Sequence, residues 1–192
     1  MDLFGGPPLL AGLDVHDDIV SEAEAAALIE RIDGVALSPF RFQGWEGKRK
    51  TASYGWHYDF DGGGLSEAEP LPGWLLPLRA RVADWVGIRP EELPHTLLIR
   101  YDPGAGIGWH RDRPAFDQVI GISLGAEAVM RFRRRVQTGF ERRNLVLPPR
   151  SSYRLTGEAR HDWEHSITPM EQTRWSITFR SLKRSARADH ST

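Results

Sequence analysis

The 192-residue chain contains no cysteine. This excludes disulfides and thiolate-held zinc or iron–sulfur sites, so any metal must rest on His, Asp or Glu. Nor does any apolar run approach the roughly 20 residues that a membrane-spanning helix needs. The opening Met1-Asp2-Leu3-Phe4-Gly5-Gly6 lacks the basic and apolar stretches of a secretory signal, so a cytoplasmic location and no membrane partner are expected. With 27% charged and 40% apolar residues the composition is that of a globular protein. The length suits one domain over residues 1–192, expected to act as a monomer.

What is present is uneven. The net charge is only −1, yet acidic residues dominate the first 110 positions and basic ones the remainder, with a cluster at Arg131, Arg133, Arg134, Arg135, Arg142 and Arg143. Such a half permits a polyanionic partner, although Arg on alternate strand positions is as often a solvated face.

Two stretches predict helices. Ser21-Glu22-Ala23-Glu24 is a capping box, and the spacing of Ala25, Leu28 and Ile29 gives about ten helical residues ending before Asp33-Gly34. A second helix is expected over Trp74–Val86, with Pro77 confined to its first turn. From Thr96 the pattern changes to short strands at 97–101, 119–124, 128–135, 144–147, 153–155 and 175–182, separated by Gly and Pro. The expected fold is therefore mainly β with flanking helices (α+β): a double-stranded β-helix, or jelly-roll, core over 96–182, N-terminal helical support over 1–95 and a tail over 183–192. Residues 40–64, rich in aromatics, Gly and Lys/Arg, show no clean periodicity and are read as a lid loop or loose hairpin over the sheet.

The sequence Gly108-Trp109-His110-Arg111-Asp112, with His165 far downstream, supplies two imidazoles and a carboxylate. That set can cap one face of a metal and leave other positions open, as in non-haem Fe(II) oxygenases. On a strand, His110 and Asp112 would point to one side, and His165 would come from another strand of the same barrel. By itself the trio is a weak pattern, because His-x-Asp occurs by chance in many chains. A competing motif overlaps it: His161-Asp162-Trp163-Glu164-His165 fits His-x-x-Glu-His, the inverted zinc-peptidase signature. That chemistry needs a helix, and a segment between Gly157 and Pro169 that continues Ser166-Ile167-Thr168 is poor helix material.

Arg174-Trp175-Ser176-Ile177-Thr178-Phe179-Arg180 reads as a strand with one apolar face, expected in the core between sheets. Its polar face, with Arg174, Ser176, Thr178 and Arg180, would look into the barrel. Two guanidinium groups there call for an anionic ligand, which an Arg fork grips through two bonds. A half-exposed edge strand with both Arg in solvent is the alternative.

Together, Arg100-Tyr101-Asp102-Pro103-Gly104, His110-Arg111-Asp112, Ser123-Leu124-Gly125, Leu155-Thr156-Gly157-Glu158-Ala159-Arg160, His165-Ser166-Ile167 and the Arg174/Arg180 pair resemble the AlkB family of Fe(II)- and 2-oxoglutarate-dependent dioxygenases. The resemblance implies Fe(II) on His110, Asp112 and His165, with 2-oxoglutarate and dioxygen as cosubstrates. It implies that Arg174 lies near the metal, meeting the cosubstrate or the iron-ligating Asp112, and that Arg180 takes the distal 2-oxoglutarate carboxylate with Tyr101. Ser176 and Ile99 stand where relatives often have Asn; Ser176 is still counted among the cosubstrate contacts. The implied reaction couples decarboxylation of 2-oxoglutarate to hydroxylation of a substrate C–H, which demethylates an alkylated base.

The implied partner is methylated DNA or RNA, its target base flipped into the pocket. Trp45, Lys48, Arg49, Tyr54 and Tyr58 on the lid, with Arg113, are the candidate substrate contacts. After Asp112 the chain reads Arg113-Pro114-Ala115-Phe116, where DNA-repair relatives tend to be acidic, so selectivity for cationic lesions is not implied. Arg131, Arg133, Arg134 and Arg135 could follow phosphates. A 2-oxoglutarate oxygenase acting on a protein or small molecule would keep the iron site without binding oligonucleotides. A non-catalytic module of this fold would bind neither iron nor cosubstrate, and the intact ligand set argues against it.

Overall fold

A computed structural model describes residues 9–42, 45–59 and 64–183. The chain runs through β1 (Leu13–His16), α1 (Glu22–Asp33), β2 (Ser38–Phe42), β3 (Trp45–Tyr54) and the short pair β4 (Trp56–Asp59) and β5 (Gly64–Glu67). After α2 (Leu76–Val86) come β6 (His95–Tyr101), β7 (Ile107–His110), β8 (Phe116–Gly125), β9 (Ala128–Val136), β10 (Gly139–Leu147) and β11 (Ser152–Leu155). The short α3 (Gly157–His161), β12 (Glu164–Ile167) and β13 (Arg174–Leu182) complete it.

The first helix begins where the sequence places it, and the second begins at Leu76, two residues after the expected Trp74. Ser21 Oγ accepts from the Glu24 N–H at 3.2 Å and the Glu24 carboxylate accepts from the Ser21 N–H at 2.8 Å, so the capping box closes. α1 then continues through Asp33, slightly beyond its expected end, before Gly34. A single 3₁₀ turn at Gly73–Leu75 precedes α2, which puts Pro77 in its first turn, where a missing N–H does no harm. Gly87, at φ 71°, ends that helix in the left-handed conformation that glycine adopts freely.

The strands form the expected jelly-roll. A seven-stranded antiparallel sheet, ordered β1-β11-β8-β13-β6-β3-β2, faces a four-stranded sheet, β10-β9-β12-β7. The β4–β5 hairpin stands apart as a third pair. Of the stretch read as a lid loop or loose hairpin, the described residues 40–42 and 45–54 follow the second form: β2 and β3 pair antiparallel and extend the large sheet, with Thr51 opposite Ile99 and Ser53 opposite Leu97 of β6. No alternation announced β3 because its cavity side carries Arg49, Thr51 and Ser53, as polar as its other face.

Two apolar layers result. One lies between the sheets, around Phe132, Leu147, Leu155, Met130 and Trp163. The other lies between the large sheet and α1 and α2, and holds Ile32, Val82, Leu98, Ile120, Ile122, Ile177 and Phe179. Trp175, Ile177 and Phe179 belong to this second layer, so the apolar face of β13 packs under the helices and not between the sheets as expected. Burying a side chain such as Ile177 or Phe179 contributes roughly 1.5–3 kcal/mol. Consequently, the polar face of β13 is the one turned toward the interior of the sandwich.

Candidate metal centre and cosubstrate pocket

Antiparallel pairing of β7 with β12 sets His110 directly opposite His165, with ring centroids 4.3 Å apart. β7 stops at His110, so Asp112 is not on a strand as expected. Its carboxylate nevertheless turns inward, with Oδ2 3.5 Å from His165 Nε2. One donor atom from each of His110, Asp112 and His165 lies within 4.8 Å of the others, a spacing one metal ion could bridge. His161 ends α3 beside Asp117 and is not part of this group, so the geometry of the zinc-peptidase motif is not formed.

The electrostatics suit a metal. Burial opposes the charge on Asp112, but the Arg180 guanidinium, with His165 and His110 nearby, holds its carboxyl well below the usual carboxylate range. Burial and the neighbouring His110 push His165 down to about 3, and burial lowers His110 as well. At neutral pH the site therefore offers two neutral imidazoles and one carboxylate, the protonation states that ligation requires. With Nδ1 donating to the Gly108 carbonyl at 2.9 Å, His110 keeps Nε2 as its free lone pair.

The arginines of β13 differ from the expectation in which of them reaches Asp112. Arg180, not Arg174, meets Asp112: Nη2 lies 2.9 Å and Nε 3.1 Å from Oδ1. Arg174 is 1% exposed and sits beside Tyr101, its Cζ 5.1 Å from that ring. Its Nε donates to Ser123 Oγ at 3.1 Å, while Nη1 and Nη2 are buried without any acceptor. Side chains at 174 and 180 share a face, but they are separated along the strand by about 20 Å of chain. Alternation fixes the face; only the folded position of the Asp112 loop decides which arginine it meets.

A cavity of about 710 Å³ opens beside the trio, lined by Tyr101, Ser176, Thr178, Arg180 and Ile99 from the large sheet and Ile107, Met130 and Ile167 from the small one. Tyr153, which sequence reasoning missed, also faces it. Its ring lies across Gly121, where any Cβ would sit 2.3 Å from Cζ. The Arg49 guanidinium projects into the cavity, 8% exposed, stacked 3.7 Å from the Phe40 ring centroid and without a carboxylate partner among the described residues. Arg111 and Arg113 line the cavity too, and Asp112 is the only acidic residue among its described lining.

Other expected contacts fall elsewhere. Tyr54 is buried in the helix-side layer, and burial raises its phenol, so it is not at the cavity. The exposed Lys48 is not among the lining residues. The side chains of Trp45 and Tyr58 lie outside the described residues.

Residues 38–181 match the family model described as the 2OG-Fe(II) oxygenase superfamily. The chain belongs to that superfamily. Its relatives are AlkB-like. It is 32% identical over 168 residues to the Xenopus tropicalis protein named tRNA (carboxymethyluridine(34)-5-O)-methyltransferase alkbh8, an overlap of 85% of this chain and 26% of that protein. It is 29% identical over 126 residues to the Danio rerio protein named Probable RNA/DNA demethylase ALKBH6, covering 62% of this chain and 49% of that one. The chain thus spans between about a quarter and half the length of these relatives. The solved structure titled "The structure of OsALKBH1" superposes with a TM-score of 0.66 over 88% of this chain and 96% of that one; at 12% identity this shows a shared fold.

As a 2OG-Fe(II) oxygenase, this AlkB-type enzyme is a dioxygenase that uses Fe(II), 2-oxoglutarate and dioxygen. The donor set of the trio fits the iron, and the two orphaned guanidinium nitrogens of Arg174 mark a buried position that an anion would satisfy. Among the described residues no helix is long and apolar enough to cross a membrane.

Proposed function

We propose that this dioxygenase oxidatively demethylates alkylated nucleobases in RNA or DNA. The observation that carries the reading is the cavity: at about 710 Å³ it has room for a base beside the cosubstrate, it adjoins the trio, and a guanidinium stacked on an aromatic ring lines it. Stacking planes and hydrogen-bond donors are what a flipped base needs in exchange for its lost neighbours. The relative named as an RNA/DNA demethylase and the one named for a tRNA uridine support the same class of substrate.

His110, Asp112 and His165 would hold the iron, and Arg174 with Tyr101 would hold the distal carboxylate of 2-oxoglutarate. Ser176, buried and lining the cavity, would add a hydroxyl to the cosubstrate contacts. When bound, iron, 2-oxoglutarate and dioxygen supply an oxidant for a C–H bond, and an N-methyl group so hydroxylated leaves as formaldehyde. Arg180 fixes Asp112 through one oxygen and leaves the other free for the metal. Arg49 and Arg113 would meet the substrate from the cavity wall. Among the cavity's described lining the single carboxylate is already paired, so those residues offer a cationic lesion such as 1-methyladenine no free negative charge. The protein would act as a monomer in the cytoplasm, where iron stays ferrous.

The test is to incubate the protein with Fe(II), ascorbate, 2-oxoglutarate and a panel of methylated RNA and DNA oligonucleotides. Formaldehyde release with at least one of them is expected. Succinate formation that no oligonucleotide stimulates, with no formaldehyde, overturns the demethylase reading and leaves an oxygenase of another substrate.

A further inference from the structure

The outer face of the four-stranded sheet carries guanidinium groups and aromatic rings that the chemistry of the cavity does not use. Arg131, Arg133 and Arg135 alternate along β9 and so share this face. Arg142 and Phe140 stand opposite Arg133 and Arg135 on β10, and Glu164 and Ser166 stand opposite Arg133 and Arg131 on β12. Trp109, on the edge strand β7, is approached by Arg131 and Arg133, whose Cζ atoms lie 5.0 and 4.5 Å from its ring. Phe140 is approached by Arg133, Arg135 and Arg142 at 4.7, 5.8 and 5.6 Å.

The charge on this face is not balanced. Among the described residues Arg133 alone of the four has a carboxylate partner, Glu164 at 2.6 Å. Arg131 donates to Ser166 Oγ and Arg142 to the Phe140 carbonyl. The neighbouring Arg134 and Arg143, by contrast, are matched by Glu141 and Glu158. The excess is therefore confined to one side of the sheet.

We propose that this face binds the backbone of the single-stranded nucleic acid whose base enters the cavity, an inference that rests on the nucleic-acid reading above. Trp109 immediately precedes His110, whose ring points the other way into the cavity, so the face begins one residue from the metal centre. Arg111 and Arg113 continue the positive charge around the cavity rim. Along β9 the three arginines cover about 13 Å, and the four strands about 14 Å across, enough for two or three nucleotides of a strand leaving the pocket. Guanidinium groups take phosphate oxygens through paired bonds, and half-exposed rings among them offer stacking surfaces to unpaired bases. An acidic protein would answer the charge but not the rings.

The experiment compares wild type with Arg135→Gln/Arg142→Gln, two exposed positions outside the cavity. Fluorescence anisotropy follows binding of an unmodified single-stranded 15-nucleotide RNA, and of poly-glutamate of similar charge, over a range of NaCl. The variant should bind RNA about tenfold more weakly at low salt, with the slope of log affinity against log salt shallower by roughly one to one and a half. Substrate-independent succinate formation should be unchanged. Equal RNA affinity and slope in the two proteins would overturn the surface while leaving the demethylase reading intact. Poly-glutamate binding as tight as RNA would overturn it in favour of an acidic protein. If the wild type binds no RNA and releases no formaldehyde from any oligonucleotide, both readings fall together.

Discussion

Arg180 grips a single oxygen of Asp112, placing Nη2 at 2.9 Å and Nε at 3.1 Å from Oδ1 while Oδ2 faces His165. The two side chains are only 10% and 8% exposed, so neither charge has water to fall back on. Removing one partner of such a pair strands the other, at a cost of about 3 kcal/mol or more. Arg180→Met should therefore lower the melting temperature of the metal-free protein by several degrees and weaken Co(II) binding, followed by its visible absorption, at least tenfold. Unchanged melting and unchanged metal affinity would mean that the pair orients nothing.

Arg174 should behave in the opposite way. Its terminal nitrogens are buried without acceptors, so the cosubstrate-free protein keeps an unpaired charge in its interior. Arg174→Leu should cost no more than about 1 kcal/mol of stability, the value of the Ser123 hydrogen bond it also loses. The KM for 2-oxoglutarate should nevertheless rise roughly 10–100-fold, and the thermal stabilisation that 2-oxoglutarate confers on the metal-loaded protein should disappear. If Arg174→Leu leaves that KM alone and Arg180→Met raises it, the assignment of the two arginines reverses.

The contrast between these two residues shows where sequence reading stops. Strand alternation correctly put both guanidinium groups on the inward face of β13, because a central strand has only two faces to offer. It could not say which one Asp112 would reach, since that carboxylate arrives from an irregular segment after β7. The trio, a weak pattern by itself, was legible through the resemblance of the motifs around it, and the register of β7 with β12 then supplies the distance. The capping box was legible because it is local. β3 was less so: with Arg49, Thr51 and Ser53 toward the cavity it has no apolar stripe, and so its stretch read as a loop or a loose hairpin and not as part of the large sheet. Tyr54, one residue further, turns to the helices and becomes core, a switch that composition cannot reveal.

Gly121 and Tyr153 form a pair that the fold makes interdependent. They are direct partners across β8 and β11, and a Cβ on residue 121 would lie 2.3 to 2.5 Å from Cζ, Cε1 and the hydroxyl oxygen of the tyrosine. Gly121→Ala should destabilise the protein by about 1–3 kcal/mol, because neither the strand nor the buried ring can retreat. Tyr153→Leu removes the obstructing atoms, so the double variant should be more stable than the sum of the single losses predicts. Urea unfolding of the four proteins measures the coupling. Strict additivity would show that the ring moves aside freely and does not fix the floor of the cavity.

Glu24 links the two helices that cover the large sheet. It closes the capping box of α1, and its carboxylate receives two bonds from Arg81 of α2, at 2.7 and 3.0 Å. The Arg81 hydrogen bond, followed by that from the Ser21 backbone, lowers its pKa from 4.5 to about 2. A depressed carboxylate binds fewer protons folded than unfolded, so its stabilisation is complete above pH 4.5 and is lost as the pH falls from there toward 2. Both side chains are 44% exposed, and solvent screening limits the Arg81 contribution to well under the full shift, about 0.5–1 kcal/mol. Glu24→Gln should thus lower stability by about 1 kcal/mol at pH 7 and by progressively less below pH 4.5, and high salt should narrow the difference. Denaturant unfolding at pH 7 and pH 3 measures both. A difference that stays constant across that range would mean that the Glu24 charge contributes nothing, and would leave the Arg81 bridge without a share in holding α1 to α2.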